Sequence, residues 1–302
     1  MPLDAGRIVK PAAKLRQLLR KARRRPLPDE IHDLRTNALR FEASIEALRS
    51  DASRSERRPL RDLAKVRSRA GKIRDMDVLT ANAATLHADG EQDCVVRLLE
   101  GLGAERDKQA RKLKTSLDKR VPTLRRRLKR SGARLERRLR RAERKRSMRI
   151  AADVLAQALT LAAELAAPIR LNRSTLHDYR RRVKELLYVL QMAADADRHQ
   201  FVRLLGEVKD AIGEWHDWVR LGEIADETAS ADHRPQCALA RSLKTTSDAR
   251  YRHALSLTKR MRMILTRGLA AQSNGAGRKS IAAGAPVPTA ITALIVAPAS
   301  RG

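Results

Sequence analysis

The sequence predicts an all-α protein, and three observations carry that expectation. Apolar residues recur every three or four positions in one segment after another, which is the spacing of a single helix face. Pro26 and Pro28, Ala88-Asp89-Gly90, Pro168 and Asn172-Arg173-Ser174 punctuate those segments, and none alternates with the period of two that marks a strand. A His-Asp-x-Arg tetrad occurs twice, as His32-Asp33-Leu34-Arg35 and as His177-Asp178-Tyr179-Arg180.

The helices follow in order. Leu15, Leu18 and Leu19 place a basic helix over about residues 11–24. Asp29 and Glu30 suit the positive end of a second helix, whose stripe of Ile31, Leu34, Phe41, Ile45 and Leu48 extends to about residue 49. Pro59 is placed to start a third, carried by Leu63, Val66, Ala70, Ile73 and Leu79. A fourth covers about residues 93–121, where Pro122 reopens a helix with a further break expected at Ser131-Gly132. A mostly apolar helix spans about 148–166, and the Asn172-Arg173-Ser174 cluster is suited to cap the next, over about 175–194. Two more follow, over about 198–225 and 235–265. From Gly268 to residue 302 the chain is rich in Ala, Gly, Ser and Pro without a single acid, the composition of a disordered tail.

Charge narrows the function. Lys and Arg number 65 against 35 Asp and Glu, a net +30, and such an excess resists compaction unless an anion shares it. Nucleic acid, an anionic membrane and inorganic polyphosphate are the candidate partners. Residues 101–150 hold 21 Lys or Arg and 5 Asp or Glu, a net +16, and so form the electrostatic centre of the chain. Two distant cysteines, Cys94 and Cys237, without ligand spacing around them argue against disulfides and zinc. The absence of an apolar leader or a span-length apolar run points to the cytoplasm.

The tetrad belongs to a longer repeat. A shift of 145 places Ile31, His32, Asp33 and Arg35 on Leu176, His177, Asp178 and Arg180. A shift of 142 places Leu63, Val66, Arg67, Gly71, Asp75 and Leu79 on Leu205, Val208, Lys209, Gly213, Asp217 and Leu221, with Arg74 opposite His216. The two offsets differ by one short loop, so a duplicated helical bundle accounts for both. On a wheel of about 100° per residue, His177, Arg180, Arg181 and Lys184 share a face beside the apolar seam of Leu176, Val183, Leu186, Leu187 and Leu190. In the first copy His32, Arg35 and Arg40 flank the seam, with Leu39 where the second has Lys184.

A His-Asp-x-Arg helix in two copies, each followed some 40 residues later by an Arg-Asp or His-Asp helix, resembles the CHAD family, the conserved histidine α-helical domain. The resemblance covers residues 11–266, with repeats of about 11–145 and 147–266. It implies two pseudo-symmetric helical bundles around a basic central channel that binds inorganic polyphosphate without catalysis, in the cytoplasm and at polyphosphate granules. Leu39, Glu42 and Leu187 depart from the family, which usually places Arg there. The Glu-x-Glu-x-Lys motif of the triphosphate-tunnel hydrolases often fused to such domains is absent.

The expected polyphosphate contacts are His32, Arg35, Arg40, Arg67, Arg74, His177, Arg180, Arg181, Lys184, Lys209 and His216. Arg offers paired donors to phosphate oxygens and Lys a point charge, while nearby phosphate favours charged histidine. Asp75 and Asp217 are read as carboxylates that orient those cations. A magnesium site at Asp75 and Asp77 is disfavoured because Val219 stands at the second position of the other copy. No catalytic residue, metal or cofactor is expected. Trp215 and Trp218 belong to the core. The alternative is sequence-nonspecific binding of nucleic acid through its phosphates, against which stands the scarcity of aromatics for base stacking, only seven in the chain.

Overall fold

The computed structural model describes residues 3–48, 54–86, 92–144, 149–193, 200–232 and 237–276. Eight helices account for nearly all of them: α1 Ala5–Arg24, α2 Pro28–Ala47, α3 Arg54–Ala83, α4 Gln92–Arg144, α5 Arg149–Ala166, α6 Leu176–Leu190, α7 Gln200–Asp232 and α8 Cys237–Ala276. The described residues contain no strand, and a lone antiparallel bridge ties Leu3 to Ala193.

The helices close into two groups of four. In the first, α1 packs on α2 and α4 while α3 packs on α2 and α4; in the second, α5 packs on α6 and α8 while α7 packs on α6 and α8. The groups meet where α2 lies against α6 and α3 against α7. Buried stripes such as Ile31, Leu34, Ala38 and Phe41 of α2 and Leu176, Val183, Leu186 and Leu190 of α6 contribute to one apolar core running through both groups. A second core joins Leu79, Leu98 and Leu102 of the first group to Trp218, Leu221 and Leu239 of the second. Truncating any one of these leucines to Ala removes about 2–5 kcal/mol of stability.

Local chemistry explains how three of the helices start. The Asp4 side chain accepts from the backbone N–H of Gly6 and Arg7 at 2.7 and 3.1 Å, capping α1, so α1 begins six residues before the expected start and carries Pro11 inside it. Pro28 opens α2, where its missing N–H costs nothing. Ahead of α6, Asn172 Oδ1 accepts from the N–H of Ser174 and of Thr175 at 2.9 and 3.0 Å, so the polar cluster builds a turn, while the N-cap itself is Thr175 and makes no side-chain capping bond.

The expected breaks at Pro122 and Ser131-Gly132 are not there: α4 is one helix of 53 residues. Leu113, Leu117, Val121, Leu124, Leu128, Leu135 and Leu139 keep a single buried stripe across both sites, and packing overrides local propensity. A Cβ on Gly132 would stand 3.2 Å from Ala12 Cβ, so this glycine marks a close approach of α1. The helix α3 starts at Arg54, ahead of Pro59. The helices α7 and α8 also outrun their expected ends, and α8 continues through Gly268 to Ala276, nine residues into the expected tail. The remainder of that tail, 277–302, lies outside the described residues.

Candidate anion-binding site

The motif residues converge where the two groups meet. Arg35 leaves α2 toward α3, and its Nη1 donates to Asp75 Oδ1 at 3.1 Å. Its guanidinium passes over Gly71, where a Cβ would lie 3.8 Å from Arg35 Cζ. Arg180 makes the corresponding reach from α6 to α7. Its Nε donates to the carbonyl of Lys209 at 3.0 Å, and it lies over Gly213 so closely that a Cβ there would be 2.6 Å from Nη2. Each arginine therefore crosses a facing helix at a residue without a side chain, and Asp75 or Asp217 stands one turn further on.

Electrostatics ties the two crossings into one cluster. Burial pushes the Lys184 ammonium down to about 8, with Arg180, Arg35, Arg67 and Lys209 adding repulsion. Those five cations come from α2, α3, α6 and α7. Burial also lowers His32, as do Arg74, Lys209 and Arg35, with Asp33 opposing. His216 is lowered by burial and then by His177 and Arg180, opposed by Asp75 and Glu223; its ring centroid lies 5.0 Å from that of His177. Burial raises Asp217 to about 6, against the pull of Arg180 and with Asp75 adding repulsion.

Some of these cations are partly neutralised. Arg67 Nε pairs with Glu42 at 3.1 Å, so this acid offsets one of the cations. Lys209 Nζ meets Asp210 at 2.8 Å. Among the described residues, no carboxylate stands within 4 Å of the side-chain nitrogens of Arg40, Arg74 or Lys184. Arg40 borders a cavity of about 540 Å³ that it shares with Tyr188, Arg7, Lys10 and Lys14. Burial raises the Tyr188 hydroxyl, while Arg40, Arg180 and Arg35 pull it down.

Ten of the eleven expected contact residues thus meet in one cluster or at its border. Arg181 does not join them: it is 61% exposed and pairs with Asp178 of its own helix at 3.3 Å. Tyr188, Glu42 and Asp210 border the cluster without belonging to the repeated motif, although a spacing of eleven puts Tyr188 on the same face of α6 as His177. Asp77 pairs with Arg106, whose Nε donates to it at 2.6 Å and whose Nη2 donates to the Pro26 carbonyl. Among the described residues no group of three or more His, Cys, Asp or Glu side chains is placed to hold a metal ion. Nor is any described helix long and apolar enough to cross a membrane. Trp215 and Trp218 are buried, as expected.

Fold and site together define a two-group helical protein with cations gathered at the seam between the groups. The chain belongs to the CHAD family, since the model of the CHAD domain matches residues 10–226. A search of curated proteins gives no match. Among solved structures, the crystal structure of the CHAD domain from the plant Ricinus communis is similar, with a TM-score of 0.58 and 14% identity over 88% of this chain and 94% of that one.

Proposed function

We propose that this protein binds inorganic polyphosphate, without chemistry on it, along the seam between the two helical groups. The observation that carries the reading is Lys184: a partly buried ammonium whose main electrostatic neighbours are four more cations from four helices. Repulsion of that kind disfavours the unliganded fold, and a polyanion reverses its sign. A chain of phosphates offers roughly one charge per unit and no bases, and Lys184, Arg180, Arg35, Arg67 and Lys209 present closely spaced charge of the opposite sign. His32, Arg35, Arg40, Arg67, Arg74, His177, Arg180, Lys184, Lys209 and His216 are the contacts in this reading, with Asp75 and Asp217 orienting Arg35 and Arg180.

We read the two groups as products of an internal duplication, with the seam as a basic channel. The matching rings of helix contacts support this, as does the recurrence of Arg35 over Gly71 in Arg180 over Gly213. The same reading places the protein in the cytoplasm at polyphosphate granules, where a fluorescent fusion should disperse when cells are depleted of the polymer.

The deciding experiment compares long-chain polyphosphate, duplex DNA and single-stranded RNA at matched phosphate concentration over a salt series. Polyphosphate should bind most tightly, and its binding should require Arg180 and Lys184. Duplex DNA binding more tightly at every salt concentration and losing that binding in R180E/K184E would overturn the reading, as would polyphosphate binding that R180E/K184E leaves unchanged.

A further inference from the structure

The densest charge in the chain lies outside the seam. Residues 101–150 carry more than half of the net +30, yet none of the seam cations comes from α4. Lys119, Arg126, Arg130, Arg137, Arg141 and Arg144 are all exposed, and they fall within an arc of about 60° on a wheel of about 100° per residue. That arc is opposite the buried stripe of Leu117, Leu124, Leu128 and Leu135. Because α4 runs unbroken through Pro122, the six cations form one straight row about 37 Å long at 1.5 Å per residue.

The row is also unneutralised. Asp118 and Glu136, which flank it, are engaged by Arg23 and Arg140 at 2.6 and 2.7 Å. Among the described residues, none of the six cations has a carboxylate within 4 Å of its charged nitrogens. Solubility does not require like charges to be aligned on a rigid rod, and this row concentrates positive potential along a line.

We propose that the outer face of α4 is a second, separate binding surface, for the phosphate backbone of double-stranded nucleic acid. A duplex is a rod bearing about one charge per 1.7 Å of axis, so a row of this length runs beside about 20 of them. Five of the six cations are arginines, whose forked donors suit phosphate oxygens. No aromatic residue lies anywhere on α4, which removes the stacking that single strands need. Among the described residues, the exposed large apolar side chains Leu27, Ile169 and Met263 are not on α4, and Val96 precedes the row along it, so the helix does not interleave the row with the apolar residues of a membrane-lying helix. This surface stands independently of the seam reading, and a protein with both links a polyphosphate chain to a duplex.

The test uses the full chain with a fluorescent duplex of about 24 base pairs, about 80 Å long. The variant R126Q/R130Q/R137Q should lose at least tenfold in duplex affinity near physiological salt. Its slope of log K against log salt should flatten by about 2.7, three phosphate contacts at about 0.9 each. Its helicity, melting temperature and polyphosphate affinity should stay close to wild type. The seam variant R180E/K184E should keep its duplex affinity, and wild type saturated with polyphosphate should still take up the duplex. Unchanged duplex affinity in R126Q/R130Q/R137Q would overturn the proposal, as would displacement of the duplex by polyphosphate at one site per protein. A membrane target in place of nucleic acid would show as binding to phosphatidylserine vesicles that the same three substitutions abolish while duplex binding persists. Failure of seam binding alone, with duplex binding intact and sensitive to the α4 substitutions, would count against the polyphosphate reading and leave this surface standing.

Discussion

Arg180 fills the space in which a residue at position 213 would carry its side chain: a Cβ there would stand 2.6 Å from Arg180 Nη2, against 3.8 Å between the corresponding Cβ at 71 and Arg35 Cζ. The two crossings match in topology and differ in tightness. Gly213→Ala should therefore swing the Arg180 guanidinium off Gly213, breaking its bond to the Lys209 carbonyl. Alanine is favoured over glycine in a helix by about 1 kcal/mol, which offsets part of the displacement. Unfolding free energy should change by less than about 1 kcal/mol while polyphosphate affinity falls about tenfold, the equivalent of about 1.4 kcal/mol. Gly71→Ala should stabilise the fold by up to about 1 kcal/mol and leave affinity within about twofold. Chemical denaturation paired with titration calorimetry separates the two outcomes.

Lys184 should show opposition between stability and binding. Its ammonium is held at about 8, below the ordinary 10.5, so between those values the unfolded chain binds more protons than the folded one. Stability of the unliganded protein should accordingly rise with pH across that window. Lys184→Met removes the buried charge at similar length. It should raise the melting temperature of the unliganded protein near neutral pH, abolish the rise in stability above about pH 8, and weaken polyphosphate binding. A melting temperature lowered by Lys184→Met would mean that the charge is not repelled.

Mild acid should tighten polyphosphate binding. Burial and neighbouring cations lower His32 and His216, and an arriving polyanion favours their charged forms, so binding takes up protons. Asp217, raised to about 6, loses its charge over the same acid range and stops repelling phosphate. Titration calorimetry in buffers of different ionisation enthalpy should register proton uptake near neutral pH. The variant H32Q/H216Q should lose most of it. A flat affinity profile between about pH 6 and 8, which spans the ordinary histidine range, would remove both histidines from the site.

Charge reversal should distinguish the seam from the surface. R180E/K184E should lower polyphosphate affinity by two orders of magnitude or more, about 2.8 kcal/mol, whereas R126E/R144E should cost only a few-fold through the long-range field. Equal losses would indicate a diffuse electrostatic surface without a specific seam.

Asp77→Ala should unfold the protein more readily without touching ligand binding. Asp77 is 7% exposed and pairs at 2.6 Å with Arg106, so its removal leaves a partly buried guanidinium without its counter-charge, held by the Pro26 carbonyl. A loss of about 2–4 kcal/mol is expected, read by denaturant melts, alongside unchanged polyphosphate affinity.

The helical class and most of the site were legible because both write themselves into spacing. His32 and His177, Gly71 and Gly213, and Asp75 and Asp217 pair off at two nearly equal offsets, and the two glycines lie under Arg35 and Arg180 where the groups meet. Other features depend on tertiary context. Helical periodicity puts Arg181 on the same face as Arg180 and Lys184, but one step of about 100° separates residues turned toward α2 and α7 from one turned to solvent. Pro122 reads locally as a break, and only the unbroken packing of α1 and α3 along α4 carries the helix past it. Glu42 was recognisable as a departure from the family, while its pairing with Arg67 required the fold.

The repelling cations at the seam reach beyond affinity to the lifetime of the protein. A ligand that binds only the folded state stabilises it by RT ln(1 + [L]/Kd), about 2.7 kcal/mol at a hundredfold excess over Kd. With polyphosphate as the occupant, chains made during phosphate plenty would be shielded from proteolysis, and those left empty when reserves are spent would open and be degraded sooner. Abundance of the protein would then follow the reserve itself.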